Sequence, residues 1–195
     1  MKDMLKITLG LVAIFIAAGV IMGITYKYTS PVKYYAEKKE KEEALKEMAP
    51  AATDPIKPAG NWTNHGKSYE YYRATSRGKT VAYISSTAGK GYSSYIKMLL
   101  SLDKDMRIKD VKILHHGETP GLGDQIEEKS FINQFRGKHL SQLVLVKTET
   151  KDNIQAISGA TISSRAVTNG VKDGVRMLVE KYGAGLRTAA REVRK

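Results

Sequence analysis

An uncharged apolar segment near the N-terminus is the feature that most constrains the fold of this chain. Residues 7–25 contain no Asp, Glu, Lys or Arg, and Lys6 and Lys27 flank them. A helix of about 20 apolar residues spans the roughly 30 Å hydrocarbon core of a bilayer. The apolar core of a signal peptide is shorter and precedes a cleavage site of small residues, of which we find no convincing example. We therefore predict a retained transmembrane helix at residues 7–25, after a short segment at residues 1–6.

The charges beside this segment do not fix its orientation. Lysines both precede and follow it, so the bias toward cytoplasmic positive charge favours neither side. Glu and Lys alternate at helical spacings over residues 32–48, which predicts a solvated helical stalk. Residues 49–60 are rich in proline and alanine, as expected of a linker. We assign residues 26–60 to this stalk and linker. Its tyrosines predict an aromatic belt at the membrane surface: Tyr26, Tyr28, Tyr34 and Tyr35.

Residues 61–186 have the pattern of one α+β domain. Short β-branched and aromatic runs are separated by turn residues, as at residues 76–79. The predicted strands are residues 69–75, 80–87, 94–102, 107–114 and 143–146. Residues 124–135 have a helical pattern. Its inner residues are Ile126, Phe131, Ile132 and Phe135. Sequential strands followed by helices on one side predict a mainly antiparallel sheet with packed helices.

The composition limits the chemistry that the chain can carry out. It has no cysteine, which excludes Cys-ligated iron–sulfur clusters, c-type haem attachment and disulfides. An organic cofactor must therefore carry any redox chemistry. The net charge is +12, but apart from a basic tail at residues 187–195 the Lys and Arg residues are scattered. That distribution favours a solvated surface near anionic lipid over nucleic-acid binding.

The adjacent histidines His115 and His116 are poor candidates for a metal pair. Neighbouring residues of a strand point to opposite faces of the sheet. No H-E-x-x-H or similar ligand spacing occurs in the sequence. We therefore predict no metal site, and nothing in the sequence suggests a catalytic residue.

The stretch Ser158-Gly159-Ala160-Thr161 is the most informative local motif. A pattern of period 3.6 follows it and predicts a helix that ends at a Gly183 cap. The apolar positions of that pattern are Val167, Val171, Val175, Leu178, Val179 and Tyr182. Thr161 therefore lies at a helix N-terminus, where free N–H groups and the helix dipole favour an anion. The small residues before it leave room for a bulky group to reach the backbone.

Two glycine-containing segments precede this motif. Residues 117–124 have the sequence Gly-Glu-Thr-Pro-Gly-Leu-Gly-Asp, and residues 89–94 have the sequence Gly-Lys-Gly-Tyr-Ser-Ser. A glycine backbone approaches a ligand closely because it has no Cβ. An ordinary turn is the alternative interpretation of each segment.

Together these segments resemble the flavin-attachment site of the G subunit of Rnf electron-transport complexes. They also resemble the related C subunit of the sodium-pumping NADH:quinone reductase. In that family the last Thr of an S/T-G-A-T motif carries FMN through a phosphoester bond, and the matching residue here is Thr161. The sequence departs from the family pattern in two places. Gln155 stands where an Asp usually precedes the Ser by three residues, and Ser93 and Ser94 replace the two glycines that follow the tyrosine of a G-Y-G-G segment. The resemblance implies a cofactor site made of Tyr92, Glu118, Thr119, Gly121, Leu122, Gly123, Ser158, Gly159, Ala160, Thr161, Ser163 and Ser164.

The same resemblance implies a function. The chain would be a single-span electron-transfer subunit of an Rnf-type complex, which moves electrons between ferredoxin and NAD and couples this to Na⁺ or H⁺ transport. Its partners would be the other subunits of the membrane complex and a flavin transferase that attaches the FMN. The resemblance places residues 1–6 in the cytoplasm and the FMN-binding domain on the extracytoplasmic side of the cell membrane. No turnover by this subunit alone is expected.

The residues by themselves leave two other hypotheses open. One is an anchored extracytoplasmic binding or scaffold module without a cofactor, in which the hydroxyl-rich turn is purely structural. The other is a flavin relay domain that serves a different membrane reductase.

Overall fold

A long helix, α1, begins the chain and covers Lys2–Met48. The computed structural model describes the backbone of residues 2–192 and the side chains of residues 2–183. The predicted basic tail at residues 187–195 lies outside the described side chains. Residues 7–25 lie within α1, none of them is buried, and the helix is long and apolar enough to cross a membrane. The chain divides into two compact units, one ending at Glu42 and the next beginning at Glu43.

The second unit is built on a five-stranded antiparallel sheet. Its strands are β1 (Pro58–Asn64), β2 (Lys67–Ser76), β3 (Lys79–Lys90), β4 (Tyr95–Leu102) and β5 (Ile108–His115). They lie side by side in the order in which they occur in the sequence. Each strand therefore pairs with its neighbour through a short connection, which agrees with the predicted antiparallel α+β class. The predictions for β2 to β5 are confirmed, with ends that differ by three residues at most.

Strand β1 was not predicted. Its sequence, Pro-Ala-Gly-Asn-Trp-Thr-Asn, has few of the β-branched residues that mark a strand. It lies at the edge of the sheet and pairs only with β2. Trp62 is part of this strand, and its indole N–H donates to the carbonyl of Ser86 at 3.2 Å. The sheet therefore begins at Pro58, before residue 61, where the domain was predicted to begin.

Two hydrophobic cores cover the two faces of the sheet. The alternation of side chains along β4 separates them, since Met98 and Leu100 belong to one core and Leu99 belongs to the other. The first core packs the sheet against the last helix. The second packs the sheet against the end of α1 and the residue after it: Ala44, Leu45, Met48 and Ala49. The predicted solvated stalk and linker thus contribute buried residues to the domain.

The segment between β5 and the last helix is less regular than predicted. Residues 124–135 do not form one helix. They form a 3₁₀ helix at Gly123–Glu127, a single helical turn, α2, at Lys129–Ile132, and a second 3₁₀ helix at Asn133–Phe135. The break lies at Glu128, whose extended backbone (φ −63°, ψ 140°) interrupts the helical hydrogen bonds. The predicted inner residues Ile126, Phe131 and Phe135 are buried, and Ile132 is half-buried.

The last predicted strand is shorter than expected and has a partner that was not predicted. Only Leu145–Val146 forms a strand, β6, after a 3₁₀ turn at Leu140–Gln142. It pairs in parallel with β7, Ile154–Gln155, which leads into the Ser158–Thr161 motif. Gln155 is held on both sides by one side chain, because its N–H donates to Gln134 Oε1 (2.7 Å) and its carbonyl accepts from Gln134 Nε2 (3.4 Å). Gln155, which replaces the Asp of the family pattern, is therefore part of a small parallel sheet.

The final helix, α3, covers Thr161–Glu192. The predicted cap at Gly183 is wrong, because the helix continues past it and Gly183 is not among the residues with positive φ. The predicted apolar stripe is confirmed, since Val167, Val171 and Val175 are fully buried against the sheet. Contact between α3 and the sheet is close, and the Thr87 hydroxyl donates to the carbonyl of Gly170 at 2.9 Å.

We expect Gly183→Ala to stabilise the protein. Alanine is favoured over glycine inside a helix by about 1 kcal/mol, which corresponds to a rise of roughly 3 °C in the unfolding midpoint. Among the described side chains, a Cβ at position 183 meets that of Val179, at 3.3 Å. Thermal unfolding of the two full-length proteins in the same detergent checks this. A lowered midpoint would indicate that Gly183 adopts the left-handed conformation of a helix cap.

Candidate functional site

The carboxylate of Glu118 lies at the centre of the candidate site. Glu118 is buried, with 5% of its surface exposed, in the loop that follows β5. Its Oε2 accepts from the N–H of Tyr92 at 3.0 Å and from the hydroxyl of Ser163. Its Oε1 accepts from the N–H groups of Ser93 at 3.1 Å and Ser94 at 3.5 Å. One side chain thus joins the turn between β3 and β4 to the first turn of α3.

Two glycines make room for this carboxylate. A Cβ at Gly91 would lie 2.4 Å from Glu118 Oε1, and a Cβ at Gly123 would lie 2.8 Å from the Cβ of Glu118 and 3.1 Å from Ser163 Oγ. Real Cβ atoms are not found at the two shorter separations, so larger residues would displace the loop. Gly91 was not among the predicted site residues, although the glycines around it in the sequence could have indicated it. The requirement for glycine depends on Glu118, which is distant in sequence.

Hydrogen bonding keeps Glu118 ionised. Burial by itself raises the pKa of this carboxyl. The hydrogen bonds from Ser163 and from the N–H groups of Tyr92, Ser93 and Ser94 outweigh that effect and lower the pKa below its ordinary value of 4.5. The site therefore contains a buried negative charge that four donors stabilise.

A neighbouring histidine anchors the loop. The N–H of Glu118 donates to Nδ1 of His116 at 3.1 Å, and Nε2 of His116 lies 3.1 Å from Oε1 of Glu127. The N–H of Gly117 donates to the hydroxyl of Ser94 at 2.9 Å. Both ring nitrogens of His116 therefore face groups of the protein. Among the described residues, no group of three or more His, Asp and Glu side chains is placed to hold a metal ion.

The Gly117–Asp124 loop folds onto itself. The N–H of Gly121 donates to Asp124 Oδ2 at 2.9 Å, and the N–H of Gly123 donates to the carbonyl of Thr119 at 2.9 Å. Gly121 has a φ of +73°, which explains the need for glycine in this turn. The sequence suggested that these amides are free to approach a flavin ring. The structure instead uses both amides within the loop, whereas Thr119 is exposed at its surface.

The Ser158–Thr161 motif forms the turn before α3. Gly159 has a φ of +79°, and a Cβ there would lie 3.1 Å from Leu122 of the other loop. Ala160 is buried, and its carbonyl accepts the first helical hydrogen bond, from the N–H of Ser164 at 2.9 Å. Ser158 is exposed at the tip of the turn. The two loops of the sequence prediction are thus in contact through Leu122 and Gly159.

The two serines of the first helical turn serve the fold. Ser164 is fully buried, and its hydroxyl donates to the carbonyl of Ala160 and accepts from the N–H of Ile157. The hydroxyl of Ser163 donates to Glu118. The family resemblance implies that both residues belong to the cofactor site. In the structure each hydroxyl donates its proton to a protein group, so neither has a proton left to donate to a phosphate.

Thr161 is the hydroxyl residue of the motif that lies in the helix and remains available; Ser158, before the helix, is exposed. It is half-buried, and its side chain makes no hydrogen bond among the residues that the structure describes. The N–H groups of Thr161, Ile162 and Ser163 precede the first helical hydrogen bond, so they have no partner within the helix. A free hydroxyl and three free amides therefore lie together at the positive end of a long helix.

Exposed apolar side chains surround this helix end. Tyr92 is 73% exposed, Ile162 is 51% exposed and Leu122 is 46% exposed. Each comes from one of the three segments that meet at Glu118, Ser163 and Gly159. Such exposure of large apolar residues is typical of a surface that binds a ligand or a partner.

Comparison with known proteins identifies the family. The FMN-binding domain family matches residues 91–176. The G subunit of the proton-translocating ferredoxin:NAD(+) oxidoreductase complex of Clostridium ljungdahlii is 32% identical over 183 residues, which cover 93% of this chain and 95% of that protein. The G subunit of the ion-translocating oxidoreductase complex of Methanosarcina acetivorans is 29% identical over 186 residues, covering 93% and 98% respectively.

A solved structure shares the fold. NqrC of Shewanella oneidensis superposes with a TM-score of 0.52 at 23% identity, over 72% of this chain and 74% of that chain. The fold, the matched domain and the full-length relatives agree with one another. The chain therefore belongs to the family of G subunits of ion-translocating, Rnf-type oxidoreductase complexes, and its globular domain is an FMN-binding domain.

Proposed function

We propose that this chain is a membrane-anchored electron-transfer subunit of an Rnf-type ferredoxin:NAD oxidoreductase complex, with FMN attached to Thr161 through a phosphoester bond. The observation that supports this proposal most strongly is the free Thr161 hydroxyl at the N-terminus of α3, inside the matched FMN-binding domain. The family match favours this function over a scaffold module without a cofactor.

The residues present fit FMN in two respects. The free N–H groups of Thr161, Ile162 and Ser163 and the dipole of α3 suit a phosphate. The exposed apolar surface of Tyr92 and Leu122 suits a planar aromatic ring system. When bound, FMN supplies the electron uptake and release that a chain without cysteine cannot provide.

The protein residues then hold and shield the group. An ester at Thr161 prevents loss of the cofactor, so occupancy does not depend on free FMN. Helix α3 provides a rigid base for the attachment point, because its buried valines fix it on the sheet. Glu118 keeps the turn of Tyr92 and the first turn of α3 together. A relay subunit needs this kind of fixed position more than it needs acid–base groups.

Intact-mass spectrometry of the full-length protein, co-produced with a flavin transferase and purified in detergent, tests the attachment. We expect the mass of the polypeptide plus one FMN moiety, and a flavin absorption band that stays with the protein after denaturation. A polypeptide mass without addition, from membranes that contain an active transferase, would contradict the proposal.

We further propose that residues 7–25 are retained as the membrane span, with the domain on the extracytoplasmic side. The helix is long and apolar enough to cross a membrane, and its relatives are subunits of ion-translocating complexes. Partners in this arrangement are the other subunits of the complex, and the flavin transferase during maturation.

Single cysteines test this orientation, because the chain has none of its own. We expect Thr148→Cys, at an exposed position of the domain, to react with a membrane-impermeant maleimide in intact spheroplasts. Asp3→Cys, on the other side of the span, is expected to react only after permeabilisation. The reverse labelling pattern would place the domain in the cytoplasm. Loss of the Asp3→Cys label from the mature protein would indicate a cleaved signal peptide.

A further inference from the structure

We propose that Glu118 is a positioning residue, whose buried carboxylate fixes the turn that carries Tyr92 relative to the attachment point on α3. The inference rests on the proposed FMN attachment at Thr161. It assigns Glu118 a role other than the direct flavin contact that the family resemblance implies.

The first argument is that one oxygen joins the two halves of the site. Oε2 of Glu118 accepts from the N–H of Tyr92 and from the hydroxyl of Ser163. Tyr92 belongs to the turn between β3 and β4, and Ser163 lies two residues after Thr161 in α3. Because both donors meet at the same atom, only two hydrogen bonds separate the turn from the helix.

The second argument is that Glu118 is enclosed by protein. Its surface is 5% exposed, and both oxygens already have donors from the protein. Gly91 and Gly123 lie so close that no side chain fits at either position. A carboxylate in these surroundings acts on a ligand through the groups that it holds.

The third argument identifies the group that is positioned. Tyr92 has its backbone N–H fixed by Glu118, while its ring is 73% exposed. The N–H groups of Ser93 and Ser94 are bound to the other oxygen, so three successive N–H groups of the turn are bound to this one side chain. An exposed aromatic ring on a turn fixed near Thr161 is placed to cover a planar aromatic cofactor. Glu118 therefore determines where that ring lies.

Glu118→Gln is the variant that tests this role. Glutamine keeps the size of the side chain, but its NH₂ group replaces one acceptor oxygen and so faces an N–H donor of the turn. Glu128→Gln is the matched control, because Glu128 is exposed and its carboxylate accepts from the Ser130 hydroxyl at the surface. Thermal unfolding of each variant sets a temperature at which all of them are folded.

The first measurement uses the flavin-carrying protein. With one FMN confirmed by intact mass, we expect Glu118→Gln to weaken the visible circular dichroism of the flavin without abolishing it, and Glu128→Gln to leave it unchanged. Tyr92→Ala should cause the same loss. Adding Glu118→Gln to Tyr92→Ala should cause no further loss, because Glu118 acts through that ring. An unchanged spectrum in Glu118→Gln would overturn the proposal. So would a further loss in the double variant as large as the loss that Glu118→Gln causes alone.

The second measurement does not depend on FMN. Full-length Thr161→Ala protein is compared with and without Glu118→Gln by amide hydrogen exchange over residues 90–95. We expect faster exchange at Tyr92, Ser93 and Ser94 when the carboxylate is removed, and no change with Glu128→Gln. Unchanged protection would contradict the joining role of Glu118 whether or not FMN attaches. Missing FMN in the wild-type protein, with exchange as expected, would instead contradict only the proposed attachment.

Discussion

Thr161→Ala is expected to abolish the covalent addition of FMN. Alanine has no hydroxyl, so it cannot form the phosphoester. The other hydroxyls of the first helical turn do not replace it, because Ser163 donates to Glu118 and Ser164 bonds to Ile157 and Ala160. The effect is all-or-none, since one ester is either present or absent. Intact-mass spectrometry after co-production with a flavin transferase should give the mass of the unmodified polypeptide.

Two further variants make this result specific. Thr161→Ser keeps a hydroxyl at the same helix position and should retain FMN. Thr148→Ala removes an exposed threonine from the loop between β6 and β7 and should leave the addition unchanged. Continued addition in Thr161→Ala would place the ester elsewhere, and peptide mapping should then examine Ser158, which is exposed in the same turn. The unfolding midpoint of Thr161→Ala should remain close to that of the unmodified wild type, since the Thr161 side chain makes no hydrogen bond among the described residues.

Local patterns were sufficient for most of the fold. Strands β2 to β5 have β-branched and aromatic residues between clear turn residues, and the valine stripe of α3 follows the helical period. Strand β1 lacks such a pattern and depends on its pairing with β2. The end of α3 was misplaced because Gly183 resembles a cap, although the helix tolerates a glycine there. A glycine predicts the end of a helix only where the helical backbone does not continue past it.

The candidate site was predictable as a set of motifs but not as an arrangement. The motifs identified Thr161 and both loops. They did not show that Glu118 is buried or that Ser163 donates to it, because those contacts join residues 92, 118 and 163, which are distant in sequence. Gly91 was missed for the same reason, since its role depends on the position of Glu118. Sequence patterns report local backbone needs, whereas the partner of a buried polar group depends on the tertiary fold.

The position of Thr161 depends on the close contact between α3 and β3. Gly89 lies in β3 against α3, and a Cβ at this position would lie 1.9 Å from the carbonyl oxygen of Ala166 and 2.5 Å from its carbonyl carbon. These atoms are backbone, so no side-chain rotation relieves the clash. The helix must move away from the sheet, and Ala166 lies only five residues after Thr161. A movement of α3 caused by a side chain at position 89 would therefore also move Thr161.

Gly89→Ala is accordingly expected to lower stability by about 3 kcal/mol, a fall of roughly 10 °C in the unfolding midpoint, because it overpacks a rigid contact. It should also reduce FMN addition in the folded fraction, measured by intact mass. Gly174→Ala is the matched control at the same interface. Its Cβ would meet the tip of Leu100 at 2.4 Å, a side chain that rotates away, so we expect a smaller loss of stability and normal FMN addition. Ala166→Gly should not rescue Gly89→Ala, since the clash is with the backbone. Equal midpoints for Gly89→Ala and the wild type would show that α3 does not approach β3 this closely.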